Sequence, residues 1–152
     1  MKLAEALILR SDYQRKIEQI KNRLINNAKV QEGEEPSEEP EILLKELDEV
    51  IENLTDLIKR INKTNSKTKF NEEMTLADAL AEREKLWDKR LILSNLAEVA
   101  AVKHDRFSRS EVKYFSTIDI KETQKEVDRL SKEFRILDTK IQGLNWTVDL
   151  IS

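Results

Sequence analysis

Cysteine is absent from the 152-residue sequence, histidine occurs once, and glycine and proline occur twice each. Without cysteine there is no disulfide framework, no thiolate nucleophile and no cysteine-ligated zinc. One histidine excludes a multi-histidine metal centre. The helical di-iron pattern Glu-x-x-His fails as well, because Ala101 stands three residues before His104. So few glycines and prolines, with aromatics at 5%, cannot supply the turns of a sandwich or barrel. Gly33 and Gly143 stand alone, so there is no glycine-rich phosphate loop. Long apolar runs are missing too. The stretch from Leu91 to Ala97 is stopped by Glu98, far short of the ~20 residues of a membrane span. At the N-terminus Glu5 and Arg10 bracket only four apolar residues, too few for a secretory core. These features place the protein in the cytoplasm, with no cofactor, metal or membrane partner expected.

What is present is charge and helix-forming composition. Ala, Glu, Lys, Leu and Arg make up 75 of the 152 residues, and 38% of the chain is charged. Such a share is typical of long helices and coiled coils. The net charge of −3 is unevenly spread. Residues 1–30 carry seven positive and three negative charges, net +4; residues 31–58 carry one positive and eleven negative, net −10; residues 59–70 carry five positive and none negative, net +5. One-signed blocks mark solvated faces or partners of opposite sign. A pI near 5.4 argues against a DNA-binding domain, which is commonly basic.

Apolar spacing predicts four helices. The first, from about Lys2 to Asn27, carries Leu3, Ala6, Leu7, Tyr13, Ile17, Ile20 and Leu24 on one face. An acidic linker from Val30 to Pro40 follows, and Pro40 suits the first turn of the next helix. The second, from about Glu41 to Ser66, has a wider stripe that includes Leu43, Val50, Leu57 and Ile61. The third opens near Thr75, with Asp78 placed to complete a capping box. Its apolar residues surround the helix, so it is predicted to be the most enclosed. The fourth opens near Asp119. Val127, Leu130, Phe134, Leu137, Ile141, Leu144, Val148 and Ile151 follow at alternating steps of three and four, the repeat of a coiled-coil seam.

The expected fold is a single all-α domain over residues 1–152, an elongated antiparallel four-helix bundle or coiled coil. That topology puts the linkers at 28–40 and 104–118 at one end. Val112, Tyr114, Phe115, Thr117 and Ile118 favour strand, so a short two-stranded β ribbon with residues 28–31 is expected there.

Several runs carry a resemblance. KLAEALILRSD (Lys2 to Asp12), NAKVQEGEEP (Asn27 to Pro36), IKRINKTN (Ile58 to Asn65), LADALAERE (Leu76 to Glu84), DRFSRSEVKYFSTID (Asp105 to Asp119) and NWTVDLI (Asn145 to Ile151) resemble a small bacterial helical family of unknown function. Some of its members are labelled septicolysin-like. The resemblance covers essentially the whole chain. It implies a stand-alone, oligomeric helical protein without an established activity, and the label implies a lytic toxin.

Two residue groups are candidate sites. In the first, Arg106, Ser108, Arg109, Ser110, Lys113 and Tyr114 could hold a phosphate or carboxylate, since arginine offers a bidentate fork. The bland alternative pairs these cations with Glu32, Glu34 and Glu35. The second group combines Asn62, Asn65 and Lys67 with Asn145, Trp146 and Asp149, where an indole and amides could stack on a base or sugar. Its bland alternative is cations and a C-cap at a helix end. The leading functional expectation is a non-enzymatic, self-associating protein, a dimer or higher, with the seam of the fourth helix as motive. Its rivals are a ligand binder or enzyme using the 104–117 loop, a weak nucleic-acid binder and a septicolysin-like toxin.

Overall fold

In a computed structural model, residues 1–101 and 112–152 are described. Four helices form, α1 (Leu3–Asn26), α2 (Pro40–Lys67), α3 (Leu76–Ala100) and α4 (Ile120–Thr147). The ends follow local chemistry. Pro40 occupies the first helical position of α2, where its missing N–H leaves no bond unmade. At α3 the Thr75 hydroxyl accepts from the Asp78 N–H at 3.2 Å, and the Asp78 carboxylate accepts from the Thr75 N–H at 2.8 Å. The Thr75 N–H, and the Thr75 hydroxyl donating to the same carboxylate at 2.8 Å, hold Asp78 below its usual carboxylate range. At α4 the Asp119 carboxylate accepts from the Glu122 N–H at 3.0 Å. Thr75→Ala is expected to cost about 0.5–2 kcal/mol, read as a lower denaturant midpoint with an unchanged slope.

The chain divides into two compact units, each described by itself. One comprises Met1–Lys69 with Gly143–Ser152, the other Phe70–Gln142. In the first, α1 and α2 form an antiparallel hairpin around Ile20, Leu43 and Val50, with Tyr13, Ile17, Leu24 and Leu47 packed against them. Basic α1 meets acidic α2 through Lys16 and Arg23, which both reach Glu46. The linker is tied back to α1 as well. Arg23 grips both carboxylate oxygens of Glu38, and the Asn27 side chain accepts from the Glu38 N–H at 3.1 Å. The Arg23 hydrogen bonds hold Glu38 below its ordinary range. The chain ends complete this unit. Leu3 N–H donates to the Val148 oxygen and Leu150 N–H to the Met1 oxygen, both at 2.9 Å, making an isolated antiparallel bridge between Lys2 and Asp149.

In the second unit α3 and α4 run antiparallel. Arg83 pairs with Asp138 at 2.6 Å, Trp87 lies 5.2 Å from Phe134, and Arg90 Nε donates to Ser131 at 2.7 Å. Steps of four and three along α3 match equal steps backwards along α4, the register of a heptad seam. The guanidinium of Arg90 also stacks 5.1 Å from the Trp87 ring.

Two expectations are corrected. No strand forms at residues 28–31 or 112–118, and Val112, Tyr114 and Phe115 are exposed. Strand preference reflects a surface to pack on, and a lone two-stranded ribbon is marginal in water. The bridge that does form uses the chain ends. Nor is α3 the most enclosed helix. Only Leu76, Ala79 and Ala97 are buried in it, while Trp87, Leu91, Ile92, Leu96 and Val99 are exposed. The α4 seam behaves as expected over most of its length, with Val127, Leu130 and Ile141 buried. Beyond Thr147 it leaves helical geometry, and Leu150 rather than Ile151 is buried.

Candidate functional site

Of the first candidate group, Arg106, Ser108, Arg109 and Ser110 lie outside the described residues, and so does the expected meeting of their loop with the acidic linker. Lys113 and Tyr114 are described, and both are exposed. Among the described residues Glu32, Glu34 and Glu35 form no ion pair. Glu34 and Glu35, with Asn26, Lys29 and Pro36, border an open groove of about 410 Å³ and bring negative charge into it.

The second group is resolved throughout, within the first unit. Its organising residue was not singled out in the sequence. Thr64 is fully buried, on the face of α2 that also carries Leu57 and Ile61. Its hydroxyl donates to the Arg60 oxygen at 2.8 Å and accepts from the Ile151 N–H at 3.0 Å. Arg60 Nε donates to the Ile151 oxygen at 3.1 Å, and Lys63 Nζ to the Ser152 oxygen at 3.1 Å. Three side chains of one helical turn thus clamp an irregular segment whose backbone groups would otherwise lack partners. The signal for Thr64 was its place three residues after Ile61 in the buried register.

Beside this clamp an open groove of about 430 Å³ is lined by Asp56, Lys59, Arg60, Lys63 and Ser152. The residues of the predicted stacking platform differ in burial. Asn145 is 5% exposed, whereas the adjacent Trp146 is 57% exposed. Asn62 and Lys67 are exposed and Asn65 is half-buried. Asn65 does not cap α2, which continues to Lys67 and ends on Thr68, whose N–H reaches the Thr64 oxygen at 2.9 Å. Asp149 is committed elsewhere. Its carboxylate lies 2.8 Å from Lys2 Nζ, which also donates to the Thr147 oxygen.

The hydrogen bond from Lys2, with its positive charge, lowers the Asp149 pKa below the ordinary 3.8. A carboxylate depressed by folding stabilises the fold above its unfolded pKa, and that contribution disappears as pH falls through the folded pKa. Asp149→Asn should therefore unfold more easily than the parent above about pH 4, with the difference closing in stronger acid. Thermal melts across that range would show the convergence. A gap that persists at the acid extreme would contradict it.

Among the described residues no group of three or more His, Asp or Glu side chains is placed to hold a metal ion. No helix among them is long and apolar enough to cross a membrane. The Thr64 hydroxyl spends both its donor and an acceptor on backbone. The chemistry that remains at the surface is cationic on the C-terminal half of α2 and apolar on the back of α3.

A protein-family profile described as "Family of unknown function (DUF6847)" matches residues 10–150. A solved structure, "Crystal structure of a functionally unknown conserved protein from Corynebacterium diphtheriae", is 48% identical to this chain. The match covers 99% of both chains with a TM-score of 0.92. No functionally curated protein matches the chain.

Proposed function

The chain belongs to a family of unknown function, DUF6847, and we propose that it is a non-enzymatic cytoplasmic protein that associates with itself. The observation that carries this reading is the back of α3. Leu91, Ile92, Leu96 and Val99 are 46, 64, 42 and 85% exposed. They lie away from the face that meets α4 and span roughly 140° of the helix at 100° per residue. A helix that is apolar on this side is suited to an interior, and these four side chains are exposed among the described residues.

The area suits a second copy. These four side chains expose roughly 400 Å² of apolar surface, the size at which patches tend to be functional. A specific interface is a little over half apolar, so a contact centred here covers roughly 700 Å² per copy, within the standard size class. The α4 seam, the motive for self-association in the sequence, meets α3 at Phe134 and buries Val127, Leu130 and Ile141, so the α3 surface is the better candidate for a partner.

Sedimentation equilibrium at micromolar protein tests the proposal. A species larger than 17.8 kDa that persists in high salt is expected, because burial of apolar surface survives ionic screening. A strict monomer at every concentration would end it.

A further inference from the structure

We propose that the outer face of α2 forms a second, electrostatic contact with the same face of another copy, paired antiparallel. The inference rests on the self-association reading and adds a surface to it.

Asp48, Glu52, Thr55, Lys59 and Lys63 are all exposed. Their spacing of four, three, four and four places them along one side of the helix. The signs are segregated, with both acids on the N-terminal half and both lysines on the C-terminal half. Local compensation is missing. Intrahelical ion pairs three or four residues apart form on α1 (Asp12–Arg15, Glu18–Lys21), α3 (Glu82–Lys85) and α4 (Glu126–Arg129). Among the described residues α2 has none. Its one ion-paired side chain among the described residues, Glu46, faces α1. Lys63 forms no ion pair with a side chain among the described residues and donates to the Ser152 oxygen at 3.1 Å.

Reversing this face onto itself about a point between Thr55 and Asp56 produces a complementary pattern. Glu52 comes opposite Lys59 and Asp48 opposite Lys63, while Glu49 meets Asn62 and Lys45 meets Ser66. Thr55 meets Asp56, which leaves the two Asp56 side chains beside the axis as the one like-charge approach, while every other charged position named faces an opposite or neutral side chain. Two-fold symmetry repeats each pair, which is the self-complementarity an isologous contact requires. A strongly acidic partner would be repelled by Asp48 and Glu52, and a basic one by Lys59 and Lys63. A second copy satisfies both halves at once.

Exposed ion pairs are individually weak and screened by salt. The contact therefore adds to one already made by α3 and does not replace it. One chain with two isologous contacts builds assemblies beyond the dimer. The expected result is a larger species at low ionic strength that falls to the α3-held species in high salt.

Paired charge reversals provide the test, read by sedimentation in low salt. Lys59→Glu with Lys63→Glu makes the face wholly acidic, and Asp48→Lys with Glu52→Lys makes it wholly basic. Each variant alone should lose the larger species, by about tenfold or more in affinity for four reversed pairs. An equimolar mixture of the two should restore it, since every acid then faces a lysine. Circular dichroism should show unchanged helix content, and Lys63→Gln, which loses the bond to Ser152 without reversing a charge, should keep the larger species. If each variant alone assembles as the parent does, or if the mixture restores nothing, the α2 contact is wrong while α3 association stands. A parent that is monomeric at low salt removes both.

Discussion

Ile20→Ala is expected to lower the unfolding free energy by about 2–5 kcal/mol. Ile20 is fully buried between Leu43 and Val50, the three residues at the centre of the α1–α2 hairpin. Removing its outer carbons loses their transfer free energy and leaves a space that Tyr13, Ile17, Leu24 and Leu47 close only in part. Ile25→Ala is the matched control, since Ile25 is 61% exposed on the same helix and surface changes usually stay within about 0.5 kcal/mol. Urea unfolding at fixed protein concentration measures both. Similar losses for the two variants would mean that the hairpin core is not where the stability of this unit resides.

Ile92→Glu combined with Leu96→Glu has the second large effect, on association. Full burial of each side chain is worth about 1.5–3 kcal/mol, and a glutamate in the same place has to be desolvated without a partner. The double variant should weaken self-association by about a hundredfold or more, while helix content stays as in the parent. Both residues are exposed in the single chain, so the effect should appear in sedimentation and not in the melting of an already dissociated protein. Unchanged association would move the interface off α3.

The contrast between these two sites marks how much of the molecule was legible in its sequence. Helix positions were legible because apolar periodicity and caps are local. The Pro40 start, the Thr75–Asp78 box and the Asp119 cap are written within four residues of where they act. The α1 stripe holds one surprise that periodicity did not announce. Arg10 stands in the register between Ala6 and Tyr13, and its Nε is buried without a hydrogen-bond partner among the described residues.

Contacts between distant segments were not legible. Thr64 with Ile151 and Lys2 with Asp149 are separated by most of the chain, and no local pattern announces them. The error about α3 has a different origin. Periodicity shows that a helix is apolar on every side, but it does not say whether its own chain or another covers it. The missing ribbon shows the converse, since strand-favouring residues at Val112 to Ile118 found no sheet to join. Of the candidate sites, the amides and indole at the end of α4 were placed near the correct helix end. Their difference in burial was not legible, since Asn145 is buried and the adjacent Trp146 exposed.

The absence of native cysteine permits the most direct test of association through α3. A nitroxide spin label attached at Asn95→Cys sits among Leu91, Ile92 and Val99 on the exposed back of the helix. Pulsed dipolar spectroscopy on this singly labelled protein should give a defined distance between labels on two copies. That distance should survive high salt and vanish when Ile92 and Leu96 are both glutamate. A signal with no intermolecular dipolar coupling, in protein that still sediments as an oligomer, would contradict an α3 interface.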